Sequence, residues 1–175
     1  MIINLSEIMS VKGKVEHIQA PIEVEYFSLE GEKYPFKHKD LVDLTISHLG
    51  ERKVEICGSG KVSLIIPCSR CLKDVVTDIE FETSKVLDFN YSDADRIKEM
   101  DETNYINGYN LDVDLLVFDE ILLDFPMKVL CGDDCKGFCK VCGGNLNTQS
   151  CGCEEADPDP RMSVIRDIFS NFKEV

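Results

Sequence analysis

Tryptophan is absent from these 175 residues, histidine occurs only three times, and neither a basic stripe nor a long apolar run is found anywhere along the chain. Each absence excludes something. Without about 18 consecutive apolar residues no transmembrane helix is expected. The opening string MIINLSEIMSVKGKVEH has no basic leader ahead of an apolar run, so no signal peptide is expected and the protein reads as cytoplasmic. Lys and Arg total 19 against 33 Asp and Glu, a formal net charge of −14. A protein that coats nucleic acid needs Lys/Arg stripes to displace counterions from phosphates. The nearest approach here is the scatter Lys136, Lys140, Arg161 and Arg166. A broad RNA-binding surface is therefore not expected, and naked nucleic acid is not expected as a tight ligand. Lys136, Lys140 and Arg161 stand as a weak partner-binding candidate, and a basic protein partner suits the field better.

Catalytic constellations are missing too. His17, His38 and His48 share no spacing with one another or with a nucleophile, and Asp112 and Asp114 read as helix caps rather than an acid–base pair. No phosphate loop and no dinucleotide fingerprint is present. No enzymatic activity is expected.

What the chain does have is cysteine: nine residues, three in mid-chain (Cys57, Cys68, Cys71) and six crowded between Cys131 and Cys153. In a reducing cytosol, closely spaced cysteines read as metal ligands or redox thiols. The spacing is Cys68-x2-Cys71, then Cys131-x3-Cys135-x3-Cys139-x2-Cys142, then Cys151-x-Cys153. Thiolates two or three residues apart on a tight turn can share one tetrahedral zinc. Gly137, Gly143 and Gly144 permit the left-handed backbone such turns use. Eight cysteines suggest two sites of four, one or two Zn²⁺ per chain. The pairing read from the order sets Cys68 and Cys71 with Cys131 and Cys135, and Cys139 and Cys142 with Cys151 and Cys153. Four protein thiolates leave no position open for water or substrate, so both sites read as structural. Cys57 reads as a small buried hydrophobe in a strand. The ferredoxin cysteine run is absent, and Cys68-Ser-Arg-Cys71 lies in a β-rich region rather than at a helix start, unlike a thioredoxin-type motif. A thiol-based redox or metal-responsive regulator is the alternative reading.

Periodicity fills in the rest. Residues 42–47 alternate apolar and polar as a half-buried strand does. Residues 53–57 and 61–66 flank Gly58-Ser59-Gly60, which reads as a hairpin turn. Residues 75–81 and 85–89 read as two further strands, giving an antiparallel sheet curled toward a barrel. Residues 91–110 are polar and acidic and read as a loop, with a turn at Asn107-Gly108. A core helix follows over 111–125, with Leu115, Phe118, Ile121, Leu122 and Phe125 at helical spacing, Asp112 or Asp114 as cap, and Pro126 as stop. Asp159-Pro160 opens a last helix striped by Met162, Ile165, Ile168 and Phe169. The expectation is an α+β fold. Residues 1–130 form the sheet and core helix, 131–153 the cysteine-rich zinc-binding segment, and 154–175 a linker and C-terminal helix.

Four strings taken together, Pro67-Cys-Ser-Arg-Cys-Leu72, Asp119-Glu-Ile-Leu-Leu123 with Pro126, Cys135-Lys-Gly-Phe-Cys-Lys-Val-Cys-Gly-Gly-Asn-Leu-Asn147 and Asp159-Pro-Arg161, resemble the YceD family, the large ribosomal RNA subunit accumulation proteins. In order and spacing the resemblance covers essentially the whole chain. It implies a non-enzymatic role in ribosome biogenesis, supporting accumulation of the large-subunit (23S) ribosomal RNA, with a basic ribosomal protein or an immature large subunit as partner.

Overall fold

A computed structural model describes residues 1–91 and 104–153. Its frame is antiparallel. A six-stranded sheet contains β2 (Val15–Ala20), β3 (Tyr26–Leu29), β4 (Glu32–Lys39), β5 (Val42–Gly50), β6 (Lys53–Pro67) and β7 (Asp74–Asp88). A three-stranded sheet joins β1 (Ile2–Asn4) to β9 (Asn110–Asp112) and β8 (Ile106–Asn107). Two helices complete the described residues, α1 (Ser6–Met9) and α2 (Val113–Asp124).

The central feature is the ribbon of β6 and β7, which pair in unbroken register from Lys53↔Asp88 to Pro67↔Asp74. On the other edge of β6, β5 pairs with residues up to Ser59, and β4 with Val62, Ser63 and Leu64. Two strands thus share that edge end to end. The sheet stays open, in order β2-β5-β6-β4-β3 with β7 beyond β6, and does not close into the expected barrel.

Several segments differ from the reading of the sequence, first of all in β6 and β7. Gly58-Ser59-Gly60 is no hairpin turn: it lies inside β6, and β7 likewise is one strand rather than two. The glycines answer a steric need. A Cβ on Gly58 would stand 2.7 Å from Leu44 Cδ2 and 3.2 Å from Thr83 Cγ2, and one on Gly60 would stand 2.6 Å from the Phe81 ring. Glycine here marks close approach of neighbouring side chains within a strand. Gly58→Val should therefore overpack the core and cost about 1–3 kcal/mol. Ser59→Val, on the exposed face, should change stability by no more than about 0.5 kcal/mol. Urea titration of both variants checks this, and an equal loss in the two would restore the turn.

Helix α2 begins at Val113, two residues later than expected, because Leu111 and Asp112 still pair with β1. The Asp112 carboxylate accepts hydrogen bonds from the N–H groups of Asp114 (3.0 Å) and Leu115 (3.3 Å), capping the first turn. Its buried side is Val113, Leu116, Val117, Glu120 and Ile121, whereas Leu115 and Leu122 are exposed. Phe118 and Phe125 pack partly buried against the core, with Phe27 4.7 and 5.4 Å from their ring centres. The inner face also carries an ion pair that the apolar pattern does not reveal: buried Glu120 meets Lys85 of β7 at 2.7 Å. Residues 106–110, expected as the end of a loop, instead form β8 and the start of β9. The turn between them is Gly108, with φ of 61°, and Tyr109, Asn107 being paired in β8. Residues 92–103 of the expected loop, and the whole expected C-terminal helix, lie outside the described residues. No helix among the described residues is long and apolar enough to cross a membrane.

Candidate metal centres

The β6–β7 ribbon ends in the loop 68–73, and that loop is the Cys68-Ser-Arg-Cys71 string. It is tight: the Leu72 N–H reaches the Cys68 carbonyl (2.9 Å), the Cys68 N–H reaches that of Lys73 (2.8 Å), and Leu72 takes a φ of 55°. Two thiols are thereby held at one end of the sheet. The chain leaving α2 comes back to this end, where the Ser69 N–H bonds the Val129 carbonyl (2.8 Å) and the Val129 N–H bonds the Ser69 hydroxyl (3.3 Å). These bonds set Cys131 and Cys135 beside the ribbon tip.

All eight clustered cysteines fall into two groups, Cys68 with Cys71, Cys131 and Cys135, and Cys139 with Cys142, Cys151 and Cys153. Within each group the four sulfurs lie within 4.8 Å of one another. Cys57 belongs to neither: it is half-buried in β6, with its sulfur 3.7 Å from the Ser84 hydroxyl. All nine cysteines are free thiols.

The spacing of the sulfurs fits a metal. A tetrahedral ion with metal–sulfur bonds of about 2.3 Å separates its ligands by about 3.8 Å. Cys68 Sγ lies 3.8 Å from Cys135 Sγ, and Cys71 Sγ lies 3.5 Å from Cys131 Sγ. A disulfide would need about 2.05 Å. Each group could hold a metal ion.

Electrostatics point the same way. Burial pushes the Cys68 thiol up, but backbone N–H groups of Arg70, Cys71 and Cys131 outweigh it and bring the thiol down to about 6. Cys131, hydrogen-bonded to the sulfurs of Cys71 and Cys135 and also desolvated, is pushed up to about 12. The second group divides likewise. The N–H groups of Cys142 and Val141 bring Cys139 down to about 6, while the Cys142 sulfur pushes Cys153 up to about 12. Four thiolates this close repel one another, so some keep their protons until a cation neutralises them. Metal binding would then release protons, and metal affinity falls as pH falls.

The surroundings of the two groups differ. In the first group Cys68, Cys71 and Cys135 are buried and Cys131 is exposed, whereas in the second Cys139 and Cys151 are half-buried and Cys142 and Cys153 exposed. The first group is also braced by residues that sequence spacing alone did not single out. Arg70 donates through Nη1 to the Cys135 carbonyl (2.7 Å), and the Asn147 amide donates to Cys135 Sγ (3.4 Å). Gly137, with a φ of 73°, lies so close to the strand tip that a Cβ would stand 3.0 Å from the Arg70 carbonyl. Arg70 and Asn147 both fall inside strings quoted above, but only the folded chain shows that both bear on Cys135. Of the weak basic candidates, Lys136 and Lys140 are exposed on the cysteine-rich segment, and Arg161 lies outside the described residues.

Comparison with known proteins adds a family. The profile of the family described as Large ribosomal RNA subunit accumulation protein YceD matches residues 56–169. An uncharacterized protein of Mycobacterium tuberculosis is 26% identical over 128 residues, covering 73% of this chain and 61% of the relative. The uncharacterized protein YlbN of Bacillus subtilis is 27% identical over 112 residues, 63% of each chain. A maize protein named Large ribosomal RNA subunit accumulation protein YCED homolog 1, chloroplastic, is 32% identical over 80 residues, 44% of this chain and 27% of that protein. The matched stretch spans about three fifths of the length of the first two relatives. No solved structure matches the chain.

Proposed function

The chain belongs to the YceD family of large ribosomal RNA subunit accumulation proteins, and from that premise we propose that it is a cytoplasmic, non-enzymatic ribosome-biogenesis factor built around two structural zinc centres. A role in ribosomal RNA accumulation follows from the family and from the name of the maize relative. The finer reading is that the protein sustains 23S ribosomal RNA by binding a basic ribosomal protein or an immature large subunit. The observation that carries it is the pair of four-sulfur groups on a strongly acidic chain. Sulfur-only sets suit zinc, and four thiolates close the coordination sphere, so the metal holds shape and performs no chemistry. With eight thiolates and two Zn²⁺ the formal charge moves from −14 to about −18. Such a field repels phosphate within a screening length of roughly 8 Å at physiological salt, and it draws in lysine-rich proteins.

Deleting the gene should lower large-subunit relative to small-subunit ribosomal RNA, and a plasmid copy should restore the ratio. Tagged protein should capture basic ribosomal proteins or immature large subunits, less so as salt rises, and the capture should survive nuclease. An unchanged RNA ratio refutes the biogenesis role. Nanomolar binding of naked ribosomal RNA near physiological salt, without capture of ribosomal proteins, would instead send attention to Lys136, Lys140 and Arg161.

A further inference from the structure

Residues 143–150 form the loop between Cys142 and Cys151, two members of the second cysteine group. Little apolar burial fixes this loop: Leu146 is half-buried, and neighbouring Val141 is 58% exposed. Yet one of its side chains reaches the first group. Asn147 Nδ2 donates to Cys135 Sγ (3.4 Å) and to Asn145 Oδ1 (3.0 Å), while Asn147 Oδ1 accepts the Lys136 N–H (2.8 Å). The orientation of the amide is decided by chemistry. Oδ1 must face the Lys136 N–H, which leaves the NH₂ facing the sulfur.

A donor on a ligating sulfur fixes its rotamer and spreads its charge, and removing such a partner typically costs about 10–100-fold in metal affinity. Here the donor stands on a loop that the other group closes. We propose that Asn147 couples the two centres as a positioning residue, so that metal in the Cys139 group seats its amide on Cys135 and tightens metal in the Cys68 group. The coupling rests on the reading that both groups hold zinc. By linkage it is reciprocal, the first centre strengthening the second by the same factor.

The test titrates Zn²⁺ against a competing chelator and follows the ¹³Cβ signals of Cys68 and Cys71, which report the first centre alone. Asn147→Ala should still bind two zinc ions at saturation but hold the first about tenfold more weakly. Cys153→Ser, which disables the second centre, should weaken the first to a similar extent. The double variant should be no worse than either single one, because both changes remove the same hydrogen bond. Asn147→Asp keeps the shape and the acceptor for Lys136 but lacks the donor, so it should lose at least as much as Asn147→Ala. If Asn147→Asp binds like the unaltered protein, or the effects of Asn147→Ala and Cys153→Ser multiply, the coupling is overturned while the two centres stand. Unaltered protein that binds no zinc overturns both.

Discussion

Cys68→Ser should strip one zinc ion from each chain and lower the thermal midpoint by about 10 °C or more, the largest stability loss expected from a single substitution here. Structural zinc contributes about 10–16 kcal/mol of apparent binding free energy, as much as the whole stability of a typical domain, about 5–15 kcal/mol. At this chain length each kcal/mol moves the midpoint by about 2–4 °C. Cys68 is fully buried, so a serine hydroxyl there would also lack the Zn–thiolate bond that offsets its desolvation. Cys57→Ser is the control, since Cys57 lies in neither group. It should keep both metals and most of the stability. Native mass spectrometry and a thermal melt read both quantities. Full metal content in Cys68→Ser would mean that Cys68 is not a ligand and that the first group does not hold metal as a set of four.

The second large effect is a difference in rate. A chelator should remove metal in two phases, with the Cys139 group emptying at least about tenfold faster than the Cys68 group, equivalent to about 1.4 kcal/mol of opening free energy. The exposed group, with Cys142 and Cys153 at the surface, can open by local motion of its own loop. In the first group only Cys131 is at the surface, and Cys68, Cys71 and Cys135 are freed only if the ribbon tip parts from the chain after α2, breaking the Arg70–Cys135 and Ser69–Val129 bonds. Alkylation in the presence of chelator, mapped by peptide mass, should label Cys142 and Cys153 before Cys68 and Cys135. Release in one phase with uniform labelling would show that the two groups open together.

The sequence shows how far spacing carries an argument. Because the cysteine strings are short, the members of each pair must lie close, and chain order alone grouped the eight as the structure does. The Asp112 cap was legible as one of two candidates because an Asp at the N-cap acts within one turn, while the two residues before the helix were lost to β9, whose partner is distant. Signals that depend on distant neighbours were not. Gly58 and Gly60 look like a turn until Leu44, Thr83 and Phe81 are seen pressing on them. The inner face of α2 could not be read from a helix apolar on nearly every side, because burial of Val113, Leu116, Val117 and Ile121, and the partner of Glu120, depend on strands distant in the chain. Arg70 and Asn147 carry no periodic signal at all, and their role comes from the approach of a second cysteine string.

The ribbon tip also has a consequence in time. Cys71 and Cys131, whose sulfurs meet, are 60 residues apart in the chain, and Cys68 and Cys135 are 67 apart. A ribosome adding about 5–20 residues per second takes about 3–12 seconds to bridge the shorter gap. The β6–β7 hairpin is local and closes within microseconds of its synthesis. During every round of translation it therefore waits for seconds as a half-built centre, two thiols at the end of a finished ribbon. Metal supply and thiol oxidation would act on the nascent chain in that interval, before Cys131 and Cys135 are made.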